Sequence, residues 1–159
     1  MDHQCPECGT SLPKGVPAWV RRLKAADVMT KDPVTLGPED SLMRALELMR
    51  LHQVRRLPIT VGETFMGIVA LGDVKAAQPS TLSDSQEDFN RVMDETPVSR
   101  VMIQRPATIG EDTSVYEIAR TLQETKYGAL PVLRDGRLVG IVTDNDAIRI
   151  LAQLVGQGG

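Results

Sequence analysis

Aromatic residues are scarce, 3% of the chain as one Trp, two Tyr and two Phe, and this removes the stacking platforms on which single-stranded nucleic acids are usually held. A basic excess is missing as well: 18 Lys and Arg stand against 21 Asp and Glu, for a net charge of -3. Nucleic acid is therefore disfavoured as a partner, although Lys14, Arg21, Arg22 and Lys24 give the first segment a local basic bias. Two cysteines cannot build a disulfide framework. No apolar run approaches the roughly 20 residues that span a bilayer, and the first residues are polar, unlike a signal peptide. The expected setting is cytoplasmic, with no membrane partner. Walker, Gly-x-Ser-x-Gly and His-Glu-x-x-His patterns are absent, so no enzyme activity is expected.

What is present is an internal repeat. Val28-Met29 returns as Val101-Met102, Pro33 as Pro106, Thr35 as Thr108, Leu57-Pro58 as Leu130-Pro131, Gly67-Ile68-Val69 as Gly140-Ile141-Val142, and Asp73 as Asp146. Each pair is 73 positions apart with no gap, the signature of a duplicated structural unit.

Each copy reads as strand, helix, strand, strand, helix. Leu42, Ala45, Leu46 and Met49 fall at helical spacing and are matched by Val115, Ile118, Ala119 and Leu122. Ser114 and Glu117 have capping-box spacing. Asp135-Gly136 is a hairpin turn between Ala129–Leu133 and Leu138–Thr143, and Leu57–Ile59 with Phe65–Ala70 repeats it. Closing helices are predicted from about residues 71 and 144, a leading helix over 17–26 with Trp19, Val20 and Leu23 on one face, and a short helix around Phe89, Val92 and Met93. The expected fold is α+β: two βαββα repeats packed in pseudo-two-fold symmetry behind a short N-terminal extension. The boundaries are 1–25 for the extension, 26–77 for repeat 1, 78–97 for a linker, 98–153 for repeat 2 and 154–159 for a tail.

Val28-Met29-Thr30-x-x-Pro33-Val34-Thr35, Arg56-Leu57-Pro58-Ile59 and Gly140-Ile141-Val142-Thr143-Asp144-Asn145-Asp146 resemble the hallmarks of tandem CBS domains (Bateman modules). The middle segment resembles the stand-alone, acetoin-utilisation-like CBS pairs. The resemblance implies a regulatory module that binds AMP, ADP, ATP or a related adenosyl ligand between the repeats. Thr143 and Asp146 can accept hydrogen bonds from the two hydroxyls of a ribose; on spacing alone Thr-x-x-Asp favours an ordinary helix cap, and the repeated acid together with the resemblance turns the reading toward ribose. Asp73 repeats the acid, but Ala70 stands where Thr143 does, so two unequal sites are expected, the one at Asp73 weaker. Arg55 and Arg56 suit phosphate by their planar forks, or form a solvated pair on a strand edge; Lys126 and Tyr127 take the neighbouring positions of repeat 2. Thr35 and Thr108 match positions that line the adenine or phosphate end in the family, and are otherwise good strand formers.

Cys5-Pro6-Glu7-Cys8-Gly9 resembles one knuckle of a zinc ribbon. Two thiolates are half of a tetrahedral site, so either a second chain supplies the rest or the segment is a tail with free thiols. His52 is expected at the exposed end of a helix. Ala147, Ile148, Ile150, Leu151 and Leu154 exceed what one buried helix face needs, which predicts a homodimer. With no output domain of its own, a sensing module should act on an unidentified protein target. The alternative is a zinc-linked interaction or nucleic-acid adaptor in which the CBS pair only dimerises.

Overall fold

The computed structural model of the chain describes residues 17–80, 85–125 and 128–157. Two hairpins form its centre: β2 (Arg56–Val61) with β3 (Thr64–Ala70), and β6 (Ala129–Arg134) with β7 (Arg137–Thr143). Their turns rest on left-handed backbone at Gly62 (φ 62°), and at Asp135 (φ 53°) and Gly136 (φ 79°), as tight hairpins require. The hairpins join at their tips, where Thr64 pairs with Arg137 and Phe65 N donates to Gly136 O as Leu138 N donates to Glu63 O. Thr64 and Arg137 are themselves 73 positions apart, so the pseudo-two-fold axis runs through this pair. The result is a seven-stranded mixed sheet in the order β2-β3-β7-β6-β5, with β5 (Ile109–Gly110) parallel to β6.

The remaining two strands change what a repeat means. β1 (Thr30–Lys31) lies at the start of repeat 1 in the chain yet pairs with β7 of repeat 2, and β4 (Ile103–Gln104) lies at the start of repeat 2 yet pairs with β3 of repeat 1. The helical turns before them follow. In α2 (Ala25–Val28), Ala25 and Val28 are buried with Ile109, Ile118 and Leu130, whereas the 3₁₀ turn Val98–Arg100 puts Val98 among Leu42, Leu57 and Met93. The same backbone bonds fix both leaders: Ala25 N to Thr113 O (2.8 Å) and Ala26 N to Glu111 O (3.0 Å), mirrored by Val98 N to Asp40 O (2.7 Å) and Ser99 N to Pro38 O (3.1 Å). Gly67 and Gly140 admit the crossing strands. A Cβ on Gly67 would stand 2.5 Å from Ile103 O, and one on Gly140 would strike the Met29 side chain.

Helices cover the two halves unequally. α3 (Leu42–His52) is capped by Ser41, which accepts from Arg44 N (3.0 Å), and ends at Gln53 in left-handed conformation, leaving His52 exposed in its last turn. Its buried face is Leu42, Ala45, Leu48 and Met49, with Leu46 only partly covered. The linker helix α5 (Gln86–Glu95) closes over it with fully buried Met93. α6 (Val115–Thr125), which among the described residues meets only the five-residue helix Ala18–Arg22 at the place of α5, buries Ile118 alone; Ala119, expected on its inner face, is exposed. Ser114 caps α6 through Glu117 N (3.2 Å). The leading helix expected over 17–26 is broken, because extended backbone at Leu23 and Lys24 separates α1 (Ala18–Arg22) from α2, and Lys24 N donates to Asp27 to start a new turn. α1 buries no residue. The closing helices also differ: α4 (Leu71–Ala76) is brief, whereas α7 (Asp144–Gln157) runs to the end of the described residues.

Candidate functional site

α7 starts where β7 ends, and Asp146 in its first turn is the one buried acid among the described residues, 2% exposed. Its carboxylate accepts four hydrogen bonds. One oxygen takes Thr143 N (2.9 Å) and Thr143 Oγ1 (3.2 Å); the other takes Arg149 (2.9 Å) and the Thr30 hydroxyl (3.4 Å). Two carboxylate oxygens offer about four acceptor positions, so in this state Asp146 is saturated. The arrangement is that of a helix cap, and a ligand hydroxyl could bond to this carboxylate only by displacing one of these donors. Arg149 also donates to Val28 O (3.2 Å), which ties α7 to α2.

A cation enters from the other repeat. Arg56, at the start of β2, crosses to Gly128 and lies 4.0 Å from Asp144, the first residue of α7. Gly128 has φ +68°, and a Cβ there would sit 2.6 Å from the guanidinium, so the glycine both permits the backbone turn and leaves space for Arg56. Asp144 N donates to Gly128 O (3.0 Å), and Asp144 receives Asn145 N (2.9 Å). An acid and a cation therefore meet at one helix start, contributed by both repeats.

The corresponding surroundings of Asp73 are apolar. Shifting by 73 positions, Thr143 becomes Ala70, Thr30 becomes Ile103, Arg149 becomes Ala76, Asp144 becomes Leu71 and Arg56 becomes Ala129. Asp73 is half-buried, and among the described residues its carboxylate has no hydrogen-bond or ion-pair partner. Arg55 stands where Gly128 does, its carbonyl accepting Leu71 N (2.7 Å), with its side chain exposed.

The other expected residues scatter. Thr35 lines an open groove of about 800 Å³ at the hairpin tips, with Asp32, Thr60, Glu63, Arg134 and Arg137. The cations of that groove are already paired: Arg137 with Glu63 (3.0 Å), and Arg134 with Glu111, whose carboxyl its hydrogen bonds hold below the ordinary value. Thr108 lines a separate, shallower hollow beside α6. Neither threonine is among the groups that touch Asp146. Lys126, Tyr127, Cys5 and Cys8 lie outside the described residues. Among the described residues no cluster of three metal-type side chains occurs. Thr30, Asp144 and Arg149 were not foreseen; the i, i+3 spacing of Asp146 and Arg149 was the visible signal for one of them.

Comparison with known proteins decides the family. The model of the CBS domain matches twice, over residues 25–80 and 98–153. The chain belongs to the CBS domain family. This CBS pair is similar to AcuB of Vibrio cholerae, named for acetoin utilization, with a TM-score of 0.71 and 31% identity over 84% of this chain and 93% of that one. It is also similar to CBSX2 of Arabidopsis thaliana, solved in complex with AMP, with a TM-score of 0.68 and 29% identity over 82% of this chain and 97% of that one. A 33.4 kDa protein of the Thermofilum pendens ribosomal RNA operon is 29% identical over 136 residues, 84% of this chain. The CBS pair spans 45% of that protein's length and 23% of the inosine-5'-monophosphate dehydrogenase of Korarchaeum cryptofilum, to which it is 32% identical. Among the described residues no helix is long and apolar enough to cross a membrane.

Proposed function

We propose that the protein is a regulatory sensor of adenine nucleotides or related adenosyl ligands, without catalytic activity of its own, that binds them where Thr143, Asp146 and Arg56 converge. The carrying observation is that convergence. A buried carboxylate at a helix start is backed by a hydroxyl, and an arginine from the opposite repeat reaches the same helix end. The AMP complex of a CBS pair 29% identical supports the ligand class. Asp73 anchors the weaker site, because Ala70 and Ile103 supply no hydroxyl where Thr143 and Thr30 do. Such a sensor reads the cytoplasmic nucleotide pool and passes its state to a protein target.

Calorimetric titration with adenosine, AMP, ADP and ATP tests the reading. Asp146→Ala should weaken binding at least tenfold, about 1.4 kcal/mol; a folded variant with unchanged affinity would overturn the assignment. A homodimer is part of the same proposal. Ile150 of α7 packs inward, while Ile148 (62% exposed), Leu151 (59%) and Val155 (71%) form an outward stripe at helical spacing. Sedimentation should give a dimer at micromolar concentration, and Leu151→Glu should give a monomer.

A further inference from the structure

We infer that Asp144 sets the charge selectivity of the Asp146 site, holding it to adenosyl ligands of low anionic charge and discriminating against di- and triphosphates. This rests on the proposed nucleotide reading and extends it to the class of ligand. Among the described residues Arg56 is the cation that reaches the start of α7 from the other repeat, and it arrives already facing Asp144 at 4.0 Å. Asp146 is likewise faced by Arg149 at 2.9 Å. The four groups sum to no net charge. Two acids therefore stand in the first turn of α7, where the exposed amides of a helix start would otherwise draw phosphate.

The two acids are not equivalent. Asp146 is buried and spends its oxygens on Thr143, Thr30 and Arg149. Asp144 is 64% exposed on its side chain; its hydrogen-bond partner is Asn145 N, and it points its second oxygen at Arg56. A phosphate that engages Arg56 must share it with Asp144 and lie within a few ångströms of that carboxylate. Each added phosphate charge increases the repulsion, while a neutral nucleoside feels none of it. In repeat 1 the same position is Leu71, so the helix-start geometry does not require an acid there; α4 begins without one at that place.

The test is the affinity of adenosine, AMP and ATP, measured by calorimetry on the full chain at low and at 0.5 M salt. In the unmodified protein ATP should bind no more tightly than AMP. Asp144→Asn keeps an acceptor for Asn145 N and removes the charge. It should tighten AMP about fivefold and ATP about twentyfold while moving adenosine less than twofold, and high salt should erase most of the gain. Asp144→Leu, the residue of repeat 1, should do the same, which separates charge from loss of a hydrogen bond. Arg56→Gln should weaken AMP and leave adenosine near its starting value. A wild-type preference for ATP over AMP, or an equal shift of all three ligands in both Asp144 variants, would overturn the selectivity role while leaving nucleotide binding intact. Absence of binding by all three ligands, in the parent and in every variant, would instead overturn the nucleotide reading and the selectivity with it.

Discussion

The two acids at the starts of the closing helices, Asp73 and Asp146, occupy equivalent places in one duplicated scaffold and live in opposite surroundings. Asp146 is sealed by two hydroxyls' worth of neighbours, a backbone amide and an arginine; Asp73 is half-buried among alanine, leucine and isoleucine positions with no partner among the described residues. Backbone symmetry is preserved to the level of individual hydrogen bonds, since the leaders of both repeats are pinned by the same carbonyls. Around the two acids the divergence lies in the side chains. Duplication thus supplied two helix starts facing the junction of the repeats, and substitution made one a polar centre and left the other bare.

The largest expected effect separates the two acids by stability. Asp146→Ala should cost about 2–3 kcal/mol in urea denaturation, because it strands the part-buried amide and hydroxyl of Thr143 and loosens the cap of α7, whereas Asp73→Ala should change stability by less than about 0.5 kcal/mol. Equal losses would break the comparison. Next come the crossing strands. Gly67→Ala should cost about 2 kcal/mol, since its Cβ would meet the Ile103 carbonyl. Gly140→Ala should cost about half as much, since the flexible Met29 side chain can give way and the backbone oxygen it then meets, that of Thr30, stands at 3.0 Å, farther than the Ile103 carbonyl does from Gly67.

Smaller still is the effect of Arg149→Ala, expected to lower stability by about 1 kcal/mol. It should also tighten adenosine binding about three- to tenfold, because it vacates an oxygen of Asp146 that the ribose must otherwise win. Weaker adenosine binding in a calorimetric titration would show instead that Arg149 assists the ligand. The smallest effect is a gain. Ala70→Thr rebuilds the missing cap of α4 and should add about 0.5–1 kcal/mol of stability in thermal unfolding, while strengthening the site at Asp73. No gain in either would mean that apolar Ile103 and Ala76 also bar the second site.

Much of this architecture is legible in the chain because the repeat keeps its register. The hairpins, α3, α5 and the starts of α4 and α7 follow from Leu42, Ala45 and Met49, from Asp135-Gly136 and from the Phe89–Met93 pattern. The exchange of β1 and β4 is invisible for a physical reason: a leader that packs on its own repeat and one that packs on the other bury the same residues, so periodicity cannot tell them apart. The Leu23–Lys24 break was hidden because both segments share an apolar face, and only Asp27 reaching back to Lys24 N betrays a new start. At the site, the acid and Arg56 were readable from motif positions. Thr30 and Arg149 acquire meaning only when the crossing leader brings residue 30 beside residue 146. Thr35 and Thr108 show the converse, since their place in the motif did not bring them into contact with the acid.

That exchange of leaders has a consequence for the protein as an assembly of parts. Residues 25–31 complete the sheet and core of the second repeat, and residues 98–104 those of the first, so the covalent halves and the folded halves do not coincide. Proteolysis in the linker would yield fragments that each lack a strand the other carries. Neither should fold alone, and mixing them should restore the native particle. At high concentration two intact chains could trade halves through the same crossing, giving an interlocked dimer with no new interface.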